Sequence, residues 1–80
     1  MPPVTYTPLP RDSPFLAGLE RVSRNGGPHR FRDDDYIYEY DPTHGGELEI
    51  YNRQGYHRGV ANVMTGEVIK PAVKGRRIDV

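Results

Sequence analysis

Between positions 41 and 49 the chain sets an imidazole among carboxylates, in the run Tyr40-Asp41-Pro42-Thr43-His44-Gly45-Gly46-Glu47-Leu48-Glu49. Histidine titrates near neutral pH, so it donates or accepts a proton there, and a carboxylate beside it serves as the complementary group. Gly45 and Gly46 let the backbone bend close to a ligand. Such a set suits cleavage of an RNA phosphodiester. The base takes the proton of a ribose 2′-OH, that oxygen attacks the adjacent phosphorus, and the acid protonates the departing 5′ oxygen. Glu49 or Asp41 is the proton acceptor and His44 the donor, with Glu47 a further carboxylate. Negative charge grows on phosphorus, and an arginine fork stabilises it best. Arg58, Arg76 and Arg77 are the candidates, and His57 joins Arg58 as a supporting or RNA-contacting candidate, although each taken singly reads as ordinary surface. His-Glu-x-x-His spacing is absent, and neither a metal nor a cofactor is expected.

These residues need a frame that brings them to one side. From Tyr36 onward short alternating runs separated by turn residues predict an antiparallel meander. Strands are expected at 36–41, 47–52, 56–61 and 67–70, with Pro71 limiting the fourth and 76–80 adding a fifth at an edge. Residues i and i+2 share a face of a strand. Tyr36, Tyr38 and Tyr40 then lie with Leu48 and Ile50, as core, while Glu39, Asp41, Glu47 and Glu49 crowd the other face. If Asp41 sits opposite Glu47, Glu39 faces Glu49. Like charges directly across strands destabilise a sheet, so this face requires nearby cations or raised carboxyl pKa values. Tyr51 and Tyr56 are the candidates for stacking on bases.

Upstream, residues 1–14 hold five of the eight prolines and predict an extended arm. Ser13-Pro14 reads as a helix cap followed by proline at the first helical position, and Phe15, Leu16, Leu19 and Val22 recur at helical spacing, predicting a helix over 14–24. Residues 26–35 read as an irregular linker, and Asp33-Asp34-Asp35 as a solvated acidic stretch. The expected fold is mainly β (α+β): a small, highly twisted antiparallel sheet, a meander of four to five strands, with one short N-terminal helix. Eighty residues allow a single domain: an arm at 1–13, helix and linker at 14–35 and the catalytic sheet at 36–80.

Eleven Lys+Arg balance 11 Asp+Glu, which argues against broad charge-driven binding of nucleic acid, although Lys70, Lys74, Arg76 and Arg77 make a local basic edge. With no Cys, disulfides, thiolate zinc sites and a cysteine nucleophile are excluded. No apolar run approaches the roughly 20 residues of a membrane span.

The segment Tyr38-Glu39-Tyr40-Asp41-Pro42-Thr43-His44-Gly45-Gly46-Glu47-Leu48-Glu49-Ile50-Tyr51 resembles the active-site segment of the cytotoxic ribonuclease domain of ribosome-inactivating colicins. Downstream, His57, Gly59, Thr65-Gly66, Lys70, Arg76 and Ile78 fall in register with the same family, so the likeness spans 36–80 and leaves the first 35 residues unmatched. Relative to that pattern Gly46 adds one residue, and the turn after Tyr51 is one residue shorter. The resemblance implies that Asp41, His44, Glu49 and Arg76 are catalytic and that Glu47 is the second glutamate of the loop. It implies small-subunit ribosomal RNA at the decoding centre as substrate, with transfer RNA as the alternative, and a dedicated immunity protein as inhibitor. It further implies secretion or delivery from the producing bacterium as part of a larger toxin that acts in the target cytoplasm. Tyr40-Asp41-Pro42-Thr43 also resembles the tyrosine-aspartate repeats of bacterial shell proteins, a non-enzymatic alternative that calls for several copies where one is found.

Overall fold

A computed structural model describes residues 6–43 and 45–80. Among them the chain forms α1 (Pro14–Ala17) and six strands: β1 (Glu20–Val22), β2 (Arg30–Arg32), β3 (Tyr36–Asp41), β4 (Glu47–Asn52), β5 (His57–Ala61) and β6 (Val68–Pro71). The strands lie in chain order in one antiparallel sheet, the meander expected from the alternating runs. No described helix is long and apolar enough to cross a membrane.

The first turn of helix forms as its cap predicts. The Ser13 hydroxyl accepts the Leu16 N–H at 3.0 Å and donates to the Val63 carbonyl at 2.6 Å, so one side chain caps the helix and ties it to the sheet. The helix does not run to residue 24. It stops at Ala17, with Gly18 as its C-cap, because the next residues gain more as a strand: Glu20 pairs with Arg32 at 2.9 Å and the Arg21 guanidinium lies 5.9 Å from the centre of the Phe31 ring. Phe15, Leu16 and Leu19 still reach the core, which is why their spacing looked helical. The stretch read as an irregular linker contains β2, whose Arg-Phe-Arg buries its central ring and exposes Arg32.

The core is one face of the sheet. Phe31, Tyr38, Tyr40, Leu48, Ile50 and Ala61 pack there with Leu16. Tyr36 does not join them; it is exposed, its ring meeting Tyr38 edge-on. Asp33, Asp34 and Asp35 are exposed between β2 and β3, as read, but Asp33 is also tied down. Its carboxylate accepts the N–H groups of Asp35 and Tyr36 and the hydroxyl of Tyr38, which builds the β2–β3 turn. Burial pushes the Asp33 carboxyl up, but those donors outweigh it and hold the group below its ordinary value. From Tyr6 onward the arm is anchored: the Tyr40 hydroxyl faces the Thr7 and Pro8 carbonyls at 2.8 and 3.0 Å, and the Thr7 N–H donates to Pro42. Gly46, the extra residue of the loop, has φ +76°, and a Cβ there would lie 2.6 Å from the Tyr40 hydroxyl. Only glycine lets the loop close over this anchor.

Residues 76–80 form no regular fifth strand. Instead Arg77 makes an isolated bridge to Tyr56, the His57 N–H donates to the Arg76 carbonyl and the Ile78 N–H to Gly55, each at 2.9 Å. The tail thus extends the edge begun by β6, and this sets the position of Arg76.

Candidate functional site

Strand pairing makes the acidic face as the alternation predicts, with Asp41 opposite Glu47 and Glu39 opposite Glu49. Directly opposed residues have Cβ atoms about 4.5–5.5 Å apart, so the face would be strongly repulsive if bare. It is not bare. Glu49 Oε1 meets Arg76 Nη1 at 2.7 Å, Glu47 Oε1 meets Lys70 Nζ at 2.8 Å, and Glu39 Oε2 meets both Arg24 Nη1 at 2.9 Å and Arg30 Nη2 at 2.6 Å. Nearby cations, the first of the two remedies the crowding called for, are in place. Asp41 accepts the Thr43 N–H at 3.0 Å and its hydroxyl at 2.9 Å, which turns the chain out of β3 and aims the carboxylate.

Glu49 is the centre of the cluster. Its side chain is only 12% exposed, and His57 Nε2 lies 3.4 Å from the oxygen that holds Arg76. His57 is therefore not ordinary surface: it is buried on β5 beneath the acidic face. Its Nδ1 faces the Val73 N–H at 2.8 Å, and a nitrogen that accepts a hydrogen bond carries no proton. The neutral ring then bears its hydrogen on Nε2, which lies beside Glu49 but makes no hydrogen bond among the described residues. Burial lowers the His57 pKa and the Arg76 charge adds to this, against the pull of Glu49. The shift favours the neutral ring, whose Nε2 edge lies beside the carboxylate.

Tyr51 stands against His57, ring centres 5.3 Å apart and edge to face. It is buried, so it offers no platform to a base; burial raises its hydroxyl pKa, with the Arg76 charge opposing. Tyr56 is exposed, but the Arg77 guanidinium sits 5.1 Å from its ring centre. Tyr56 and Arg77 are joined by an isolated bridge just outside β5, next in sequence to His57 and Arg76.

The cluster thus brings together Glu49, Arg76 and His57, with Asp41 and Glu47 on the same face. Arg58 follows His57 on β5 and is exposed, at the point where the pairing of β4 with β5 shifts register. His44, the expected acid, lies outside the described residues. Arg24 was missed because it read as the end of a helix and Arg30 because it fell in a stretch read as a linker; the polar-apolar-polar order Arg30-Phe31-Arg32 was the available strand signal. Nothing in the sequence announced that the Val73 backbone would fix the His57 tautomer. Among the described residues no group of three or more His, Cys, Asp or Glu is placed to hold a metal ion.

A search of curated proteins finds no match. The family model described as Cytotoxic matches residues 18–79, and so takes in β1 and β2, which the likeness read from Tyr36 onward had left out. That span is most of the chain and contains the whole Glu49–Arg76–His57 cluster, and the chain accordingly belongs to the Cytotoxic family, as a cytotoxic toxin domain.

Proposed function

We propose that this toxin domain is a metal-independent endoribonuclease that cuts small-subunit ribosomal RNA at the decoding centre and so blocks translation in competitor bacteria. The observation that carries it is the junction at Glu49, where one carboxylate oxygen contacts a guanidinium at 2.7 Å and faces a buried imidazole at 3.4 Å. Glu49 is the general base. His57 packs against it from below, and burial of the carboxylate keeps competing water away. Arg76 is 46% exposed and spends one of its five N–H donors on Glu49, so the fork retains donors for a phosphate. A phosphate that takes over the guanidinium draws Arg76 from Glu49 and frees the carboxylate oxygen to take the proton of the 2′-OH. The same guanidinium then meets the charge that develops on phosphorus.

His44 takes the role of general acid from its place in the motif, three residues after Asp41, and Asp41 orients or tunes it. Glu47, held by Lys70, supports the face without moving a proton. The products are a 2′,3′-cyclic phosphate and a 5′-hydroxyl. The parent protein is a larger toxin delivered from the producing bacterium, acting in the target cytoplasm and neutralised at home by a cognate immunity protein.

Incubating the purified chain with ribosomes and, separately, with bulk transfer RNA, followed by mapping of the cut ends, tests target and chemistry together. Cyclic phosphate ends on ribosomal RNA are expected, whereas the same ends on transfer RNA alone would move the target. A 5′-phosphate product would overturn the mechanism, and harmless expression in bacteria lacking a protective partner would overturn the nuclease altogether.

A further inference from the structure

Glu39 carries more positive charge than its own carboxylate requires. Arg30 grips Oε2 through Nε at 2.9 Å and Nη2 at 2.6 Å, which suffices for one carboxylate, and Arg24 adds Nη1 at 2.9 Å to the same oxygen. Arg30 is nearly buried, with 14% of its side chain exposed, but Arg24 keeps 32%. Arg24 also donates to the Pro28 carbonyl at 3.3 Å, and it lies flat on Gly27, where a Cβ would come within 3.1 Å of Nη2. Its guanidinium is therefore placed by three separate contacts and still open to solvent.

That surplus cation stands beside the site. Glu39 is the cross-strand neighbour of Glu49, so the Arg24–Arg30 pair and Arg76 flank the two carboxylates on one face. An open cleft of about 490 Å³ runs past Arg24, Arg30 and Glu39, with the tail from Ile78 to Val80 as its other wall. Glu39 and Asp79 are the acidic groups there. Arg30 also borders a second cleft of about 990 Å³, where Arg32 and Arg53 are balanced by Glu20, Asp33 and Asp34, so the surplus of positive charge is confined to the Arg24–Arg30 pair.

Given the ribonuclease function proposed above, we infer that the Arg24–Arg30 pair is a second phosphate subsite, which holds a linkage of single-stranded RNA next to the one cut at Glu49 and Arg76. The ligand is the phosphodiester backbone, without regard to base. Glu39 keeps the two guanidiniums aimed and gives way in part when a phosphate oxygen competes for Arg24.

The probe is a fluorescent single-stranded 2′-O-methyl RNA oligonucleotide, which lacks the attacking hydroxyl, titrated with the full chain at several salt concentrations. Arg24→Gln is expected to weaken binding and to reduce the slope of log affinity against log salt by roughly 0.7, the loss of one phosphate contact to a single strand. Arg24→Lys should restore most of it. Arg24→Gln leaves both Arg30 bonds to Glu39 in place, so the fold should persist and is checked by thermal melting. Glu39→Gln should tighten binding more than Glu67→Gln, which removes an exposed charge elsewhere. An unchanged slope in Arg24→Gln, a gain in Glu39→Gln no greater than in Glu67→Gln, or no binding of the probe would each overturn the subsite. Probe binding that depends on Arg24, by a chain that cuts no RNA, would instead overturn the ribonuclease and keep the phosphate site.

Discussion

Under the proposed mechanism, replacing Glu49 with Gln separates catalysis from folding. The amide keeps the volume of the carboxylate and one acceptor oxygen, so Arg76 retains a partner and His57 Nε2–H still faces oxygen. What is lost is the charge. Removing a general base lowers the rate roughly 10²- to 10⁴-fold, which is about 2.7–5.4 kcal/mol of barrier. The cost to stability is much smaller. Arg76 is nearly half exposed, so solvent screens its pair with Glu49 and the pair contributes no more than about 1 kcal/mol. Relief of the repulsion between Glu49 and Glu39 offsets part of that. For a chain of this size about 1 kcal/mol moves Tm by roughly 4–8 °C, so Glu49→Gln should melt within that interval of the parent. Cleavage of ribosomal RNA followed by gel, beside a circular dichroism melt, measures both. An unchanged rate would refute Glu49 as the base, and a fall in Tm well beyond the interval would show that the carboxylate is a structural member of the face.

Arg76→Ala should lower cleavage by about 10²- to 10³-fold, as loss of one charge-stabilising donor does, with little change in Tm, and single-turnover kinetics would read it. His57 gives a pH dependence: its folded pKa lies below the ordinary 6.5, so the unfolded chain takes the proton first. The stability this contributes is whole above about pH 6.5 and falls away as pH drops toward the folded value, so urea midpoints at about pH 7 and pH 5 should differ more for the parent than for His57→Gln. Tyr40→Phe removes the hydroxyl that faces the Thr7 and Pro8 carbonyls; a loss of about 1 kcal/mol and faster proteolysis within residues 6–13 are expected. Cleavage should survive a chelator, and activity that vanishes with it and returns with a divalent ion would sink the metal-free mechanism.

The first hairpin was readable because period-two alternation and a turn-rich loop act within a few residues of each other. Pairing Asp41 with Glu47 puts Tyr38, Tyr40, Leu48 and Ile50 inside and four carboxylates outside, and a one-residue slip would bury charge. Residues 14–32 were harder. Phe15, Leu16 and Leu19 have helical spacing, yet they reach the core from one turn of helix and the link after it, while β1 is held by partners ten residues away in β2. Local pattern carries no information about that pairing. His57 reads as surface for a related reason: its burial comes from Tyr51 across the sheet and from the backbone at Val73, sixteen positions on. Arg76 was legible as a residue, but its reach to Glu49 depends on a tail that bonds to Gly55 and His57 in place of becoming a strand.

That tail also separates the durability of the sheet from the durability of its chemistry. The guanidinium is carried by a segment beyond β6 that is pinned through a few backbone contacts, outside the packed aromatic layer. Such peripheral segments open at far lower free energy than a core strand. Fraying there would withdraw Arg76 and release the amide at Val73 while β3 and β4 stay paired. Under the proposed mechanism a local opening then disarms the domain, with no need to melt, and anything that clasps or peels away residues 76–78 governs cleavage at small energetic expense.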